Sequence, residues 1–556
     1  MTLLPQPPAA LLSSEVTPAP PYDTLVAALD TTGGPPITFH GLRDAPVLAR
    51  GDVRDLAWRW SALLRAQGVG RGERVLILLR TGPGFVGALL GAMLAGAIPV
   101  PLASPMSFGS LDRYLANLAA IVADCGARCL VTDDRVLRAL GERPALGVGI
   151  VLTEADLAAA PTAPRSLPSV SGADTALLQY TSGTTGRPKG AVISHRALVH
   201  NAFAIAHGLG VSADDVGVSW LPLFHDMGLI GVLLTAVCHP YPLHLMPPEA
   251  FLMRPGRWLR TLAEVGGTLS AAPNFAYALC AAKAEGLDGA RLDRWRHALN
   301  GAEPVLAHTC TRFAERFAPD GFTPGAMTPV YGLAESTLAV TFPAPGRGVE
   351  TLDARALHGD VRAPAEAVSV GRPVAGTTIG VFDGQGGALA AGRVGEVRVA
   401  GPSRMDGYFR NEAASAEALD GAWLKTGDLG FVHDGALYLV GRAKEMIVKG
   451  GRNLFPQDLE RVAAEVRGVR AGSVAAFGRH NRATGTDDLV LVIESAEPDA
   501  ETRAGLVREV RGALLAALDT KPDAVHLWPV GSIPRTTSGK LQRRACAARL
   551  DAQEGT

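Results

Sequence analysis

Between Thr181 and Gly190 the chain reads TSGTTGRPKG, a run of hydroxyls, glycines and cations with apolar stretches on both sides. Those residue types suit a chain of phosphates. Glycine lets backbone N–H groups approach the oxygens, serine and threonine donate further hydrogen bonds, and lysine adds positive charge. The spacing is not that of the G-x-x-x-x-G-K-[ST] loop, because Gly183 and Gly186 stand too close together and Pro188 directly precedes Lys189. Pro188 also removes a donor and holds Arg187 toward extended geometry. The loop is expected to follow a strand, ALLQY, and to cover phosphates as a flexible flap. An ordinary solvent loop has a similar composition, so this stretch alone leaves both readings open.

A second polar island is PLFHDMG, which sets His225 and Asp226 in an apolar context. A hydrogen-bonded core histidine fits that pattern as well as a functional one does. The six cysteines are Cys125, Cys129, Cys238, Cys280, Cys310 and Cys546, and no His/Cys set has zinc spacing. They read as reduced thiols of a cytoplasmic protein. A formal net charge of -1 offers no global attraction for nucleic acid or an anionic membrane. With 47% apolar and 19% charged residues the composition is that of a globular enzyme, and 556 residues are too many for one core.

The elements that must position these groups can be read from periodicity. Short β-branched runs (ERVLILL, AIPVPL, ARCLVTD) alternate with Ala/Leu-rich helical patterns. That alternation predicts an α/β fold with two parallel-type sheets in a large N-terminal unit. From about residue 368 to 441, glycine turns join short strands into a small β-rich subdomain. From residue 442 to 556 a smaller α+β unit is expected, and residues 1–22 form a Pro-rich, loose lead-in before a domain spanning 23–441. Residues 81–110 carry no charge, but Pro99 and Pro101 interrupt them and their Gly/Ala spacing suits close packing. They are expected to be a buried helix running into a buried strand, with no membrane insertion.

The ordered set YTSGTTGRPKG, GAEPV, YGLAEST, WLKTGDLG, GRAKEMIVKGGRNLFP and PRTTSGK resembles the adenylate-forming superfamily of acyl-CoA synthetases, luciferases and peptide-synthetase adenylation domains. The resemblance runs from about residue 20 to 550. Its details, such as SWLPLFHDMGLIG and YGLAESTLAV, lean toward fatty acyl-AMP ligases. It implies ATP and Mg²⁺ as cofactors and a fatty acid as substrate. Thr181, Ser182, Gly183, Thr184, Thr185, Gly186 and Lys189 would cradle the outer phosphates, and Glu335 would bind Mg²⁺. Tyr331, followed by Gly332, would stack on adenine beside Gly301, Ala302 and Glu303. Asp428 would accept from the ribose hydroxyls with Arg442 nearby. Lys540, approached through Thr536, Thr537, Ser538 and Gly539, would reach the carboxylate and α-phosphate. His225 would line the route between the ATP and acyl sites. Each residue also has a bland reading: Glu335 a helix-start carboxylate, Asp428 a turn-fixing side chain, Tyr331 core.

The resemblance further implies a C-terminal unit that pivots at Lys444 after adenylation and then presents a thiol. Fatty acyl-AMP ligases use the phosphopantetheine arm of an acyl carrier protein, whereas acyl-CoA synthetases use coenzyme A. Residues 336–369 resemble the extra segment of the former but are shorter than expected for a full insertion, which keeps the coenzyme A reading open. Arg535, Lys540, Arg543, Arg544 and Arg549 form an acid-free stretch that would suit an acidic carrier, coenzyme A phosphates or plain solvent. A non-catalytic nucleotide- or acyl-binding relative is the remaining alternative.

Overall fold

The computed structural model describes residues 10–14, 19–31, 33–42, 45–105, 111–140, 147–159, 165–181, 188–284, 286–353, 366–449, 452–470, 472–481, 484, 486–497, 499–536 and 541–554. The β-branched run Arg74–Leu78 pairs in parallel with Ile98–Pro101 on one side and Cys129–Thr132 on the other, and Ile150–Leu152 completes this first sheet. Its first three strands are largely buried, which is why they read as continuous apolar runs rather than alternating ones, whereas Val151 of the edge strand is exposed.

The uncharged stretch of residues 81–110 resolves as expected. Pro83–Leu94 is a helix with proline in its first turn, followed by the buried strand Ile98–Pro101. The helix needs its glycines because it lies directly on the helix Arg50–Ala66. A Cβ on Gly91 would sit 2.4 Å from Trp60 Cβ and 2.8 Å from the Ala57 carbonyl. A stretch that is apolar on all sides is here a core helix. Among the described residues no helix is long and apolar enough to cross a membrane.

The second sheet runs Met327–Pro329, His297–Asn300, Leu269–Ala272, Gly217–Ser219, Leu243–Leu245, Ile37–Phe39 and Val47–Leu48. Its pairs are parallel except the last. The third sheet is antiparallel and draws most of its strands from Ala367–Pro373 onward, up to Ala436–Arg442. Tyr331–Gly332 and Ala339–Phe342 join one end, and Leu11–Ser13, from the Pro-rich lead-in, pairs with Thr378–Phe382 at the other. That lead-in is therefore not wholly loose.

Beyond Ile447 a separate apolar core forms. One cluster runs from Ile447 through Leu459, Leu491 and Leu514, and a neighbouring one holds Phe477, Trp528 and Leu550. They pack on opposite faces of the sheet Val474–Asn481, Thr486–Glu494 and Ala524–Trp528, the first with helices Pro456–Ala464 and Ala500–Leu518 and the second with Arg543–Glu554. Phe455, just before the first of these helices, packs instead with Phe431, Tyr438 and Val440 of the third sheet.

Candidate active site

The strands on either side of the glycine- and hydroxyl-rich stretch form an antiparallel hairpin. Thr175–Thr181 pairs with Lys189–Ser194, and Thr181 stands opposite Lys189 at its mouth. Ser182, Gly183, Thr184, Thr185 and Gly186 lie outside the described residues. One face of the hairpin packs Leu177, Ala191 and Ile193 into the main core, and the other sets Leu178, Tyr180 and Val192 on the first sheet. The Tyr180 hydroxyl donates to Asp124, and Gly190 leaves room for the Tyr180 ring, 2.9 Å from where a Cβ would be. The loop is thus carried on a rigid base. Residues 406–409 lie along this base through an isolated antiparallel bridge between Ala191 and Tyr408: Asp406 N donates to Val192 O at 3.0 Å and Phe409 N to Gly190 O at 2.8 Å.

The carboxyl ends of His297–Asn300 and Met327–Pro329 are neighbours in the second sheet, with Asn300 opposite Pro329. Gly301, Ala302 and Glu303 follow one strand, and Tyr331 follows the other. Open α/β sheets bind ligands at such carboxyl ends. A Cβ on Gly301 would meet Val330 at 2.7 Å, so the two segments approach closely. Ala302 holds the left-handed region at φ 67°, and Glu303 Oε1 accepts from Phe275 N at 2.5 Å.

At Tyr331 the chain crosses from the second sheet into the third. The Tyr331 hydroxyl donates to Asp428 Oδ2 at 2.6 Å, and Arg442 Nε donates to Asp428 Oδ1 at 3.0 Å. Asp428 and Arg442 face each other across adjacent strands. The neighbouring carboxylate raises the Arg442 guanidinium's pKa, and burial, with Asp428 beside it, raises that of the Tyr331 phenol. The Tyr331 ring is itself buried, packed with Val340, Val370 and Leu437.

Glu335 sits in the short 3-10 turn Ala334–Ser336, which Gly332 and Leu333 precede. A Cβ on Gly332 would lie 2.0 Å from the Leu338 carbonyl oxygen, so only glycine fits there. Thr337 closes the turn at φ 62°, a strained value for a β-branched residue. Its hydroxyl donates to Ser403 O at 2.6 Å, and Met405 N donates to Glu335 O at 2.8 Å. The Tyr408 hydroxyl donates to Glu335 Oε1 at 2.8 Å, and Lys189 Nζ lies 5.1 Å from the centre of the Tyr408 ring. Glu335 also raises the pKa of Arg442, which links the two clusters electrostatically.

His225 is half-buried, with Nδ1 2.6 Å from Asp226 Oδ1. The same oxygen accepts from Met227 N at 2.7 Å, at the start of a π-helix, Met227–Leu234. Wide turns of that kind concentrate at functional sites. Gln179, in the hairpin strand Thr175–Thr181, donates to Phe224 O at 3.0 Å and so ties the His225 loop to the hairpin.

A profile of the AMP-binding enzyme family matches residues 48–409. The chain belongs to that family. Among its AMP-binding relatives, a Caulobacter vibrioides protein carrying a provisional acyl-CoA synthetase name is 36% identical over 94% of each chain. The medium-chain-fatty-acid–[acyl-carrier-protein] ligase JamA of Moorena producens is 34% identical over 88% of this chain and 87% of its own. A structure from work on fatty acyl-adenylate ligases of E. coli and L. pneumophila superposes with a TM-score of 0.89, at 33% identity, over 96% of this chain and 99% of that one. The family resemblance of the sequence and the expected fold class are thereby established.

Lys540 lies outside the described residues, but its loop is pinned at the base, where Arg535 pairs with Leu541 and Gln542 N donates to Pro534 O at 3.0 Å. Lys444 follows the last strand of the third sheet, and its ammonium donates to Glu417 Oε1 at 3.1 Å. That bond holds the Glu417 carboxyl below the usual carboxylate range. The basic stretch of residues 531–550 is largely engaged internally. Arg543 is nearly buried between Glu445 at 2.6 Å and Glu460 at 2.7 Å, and Arg549 bonds Ser532 O and covers the Trp528 ring. Arg543 is thus an internal strut. Residues 354–365, inside the segment compared with the ligase insertion, lie outside the described residues; the rest of it holds the strands Ala339–Phe342 and Thr351–Leu352. Sequence reasoning noted Asp226 without giving it a role, and missed Tyr408 and Glu417. Tyr408 leaves one faint trace, an aromatic pair inside the polar turn MDGYFRN.

Proposed function

We propose that the chain activates a fatty acid with ATP to give fatty acyl-AMP and pyrophosphate, then passes the acyl group to the phosphopantetheine thiol of an acyl carrier protein. The observation that carries this reading is the convergence of the Lys189 hairpin, the Glu335 turn and the Tyr331–Asp428–Arg442 cluster where the sheets meet, in a chain that matches an acyl-carrier-protein ligase over most of its length. In the first step a carboxylate oxygen attacks the α-phosphorus. A carbonyl–O–P linkage forms, the α–β phosphoanhydride bond breaks, and pyrophosphate leaves with the electron pair. Both reactants are anions, so positioning and charge neutralisation are the protein's main tasks.

In this reading Thr181, Ser182, Gly183, Thr184, Thr185, Gly186 and Lys189 hold the outer phosphates. Asp428 takes the ribose hydroxyls, with Arg442 and Tyr331 each fixing one of its oxygens. Adenine lies beside Tyr331, Gly332 and the Gly301–Ala302–Glu303 turn. Lys540 enters from the C-terminal unit to meet the reacting carboxylate and α-phosphate, and His225, oriented by Asp226, lines the path from the acyl site.

The donor set fits a phosphate-bound Mg²⁺. Among the described residues no group of three or more His, Cys, Asp or Glu side chains could hold a metal alone, while Glu335 keeps one oxygen beyond its Tyr408 bond. One protein carboxylate with phosphates and waters is the usual Mg²⁺ shell, and the ion would neutralise phosphate charge. Six unpaired, buried cysteines support a reducing compartment, the cytoplasm.

The coenzyme A reading is favoured by the 36% identical relative with an acyl-CoA synthetase name. One assay separates the two. Enzyme, Mg-ATP and a medium-chain fatty acid are incubated with coenzyme A or a holo carrier protein, and products are identified by mass spectrometry. Acyl-AMP that persists with coenzyme A but loads the carrier supports the proposal. Rapid acyl-CoA formation replaces it with the synthetase reading. No pyrophosphate exchange with any fatty acid would leave the non-catalytic relative.

A further inference from the structure

Tyr408 touches two groups that no sequence motif joins to it. Its segment, residues 406–409, is laid along the hairpin strand Lys189–Ser194, so its backbone is fixed to the element that carries Lys189. Its own N–H donates to Ser415 Oγ at 2.8 Å, which locks it to the helix Glu412–Ala418. From that anchor the ring lies under the Lys189 ammonium, 5.1 Å from centroid to Nζ, within cation–π range. The hydroxyl reaches Glu335 Oε1 at 2.8 Å.

The chemistry of that placement is specific. A lysine and a glutamate serving one Mg-phosphate group must not pair with each other, because an ion pair would consume the charge each has to offer. A leucine between them would separate the charges but aim neither. A phenol does both: its face attracts the ammonium, and its O–H occupies one carboxylate oxygen while leaving the other for a ligand. The same segment holds the Glu335 turn at two further points, through Met405 N and Ser403 O.

We infer that Tyr408 is a positioning residue that holds Lys189 and Glu335 apart and aimed at a common Mg-phosphate group. The inference rests on the nucleotide roles proposed above for Lys189 and Glu335. Its test compares Tyr408→Phe, Tyr408→Leu and Glu335→Gln in the full chain. The readouts are calorimetric binding of a non-hydrolysable ATP analogue with and without Mg²⁺, and the Mg²⁺ dependence of pyrophosphate exchange.

Tyr408→Phe keeps the ring and loses only the hydroxyl. It is expected to raise the half-saturating Mg²⁺ concentration about fivefold to tenfold, with Mg²⁺-free analogue binding and the fatty acid KM unchanged. Tyr408→Leu is expected to weaken Mg²⁺-free analogue binding as well, because Lys189 then closes on Glu335. Folded variants with the wild-type Mg²⁺ response, or with a uniform fall in kcat alone, overturn the inference. A normal loss in Glu335→Gln beside an unaffected Tyr408→Phe overturns only the role of Tyr408. An unchanged Mg²⁺ response in Glu335→Gln overturns the metal reading and this inference with it.

Discussion

Asp428 shows how much one side chain can be asked to do. Its two oxygens take Tyr331 and Arg442, and its side chain is only 9% exposed. Asparagine offers a single acceptor oxygen, so Asp428→Asn must leave one of those donors without a partner. We expect a stability loss of roughly 1–3 kcal/mol and a clear rise in the KM for ATP. Thermal scans and pyrophosphate exchange check this, and an unchanged Tm would contradict the shared role. Lys540 makes a different kind of prediction. If it acts only as charge builds in the transition state, Lys540→Ala lowers adenylation by about 10²–10³-fold and leaves ATP binding mostly intact. Lost ATP affinity with normal turnover would remove that role.

Among the elements, the turn that carries Glu335 is the most constrained. Gly332 admits no Cβ, Thr337 is strained, and the segment 403–408 clamps both sides. Gly332→Ala forces a methyl into the Leu338 carbonyl and must displace the turn. The expected cost is about 3 kcal/mol, with near-complete loss of adenylation, read by denaturant unfolding and pyrophosphate exchange. A variant of normal stability and activity would show that this turn is not the rigid mount described. The π-helix Met227–Leu234 belongs to the same scale. Gly228 lies where a Cβ would be 2.5 Å from the Pro222 carbonyl, so the helix start is pressed onto the loop that orients His225.

At the scale of the whole molecule, the family resemblance implies a pivot at Lys444, whose ammonium donates to Glu417 Oε1. Proline at 444 would fix φ at the pivot. Lys444→Pro is expected to spare adenylation and block thioester formation, and equal loss of both steps would rule the pivot out. Stability across pH is also a property of the whole. Burial pushes His195, His244 and His297 down to about 4. Their folded values lie below the unfolded value of about 6.5, so the unfolded chain takes up protons first as pH falls. The stability from keeping them neutral is full above about 6.5 and is lost on the way to about 4. Tm should therefore fall between pH 6.5 and 4, and a flat profile across that range would contradict the burial of these rings.

Local chemistry is what the sequence could settle alone. The strand ALLQY that leads to residue 181, the buried Gly/Ala helix and the change to antiparallel strands after residue 368 all depend on residue types within a few positions, where sterics and periodicity act directly. The register that brings distant segments together was not readable that way. Tyr408 meets Glu335 across 73 residues and Asp428 meets Tyr331 across 97. Leu11–Ser13 becomes an edge strand only because Thr378–Phe382 leaves an edge open, and Arg543 turns inward because Glu445 and Glu460 lie where its side chain packs. Such partners are chosen by packing among elements far apart in the chain, and no one-dimensional pattern encodes that distance.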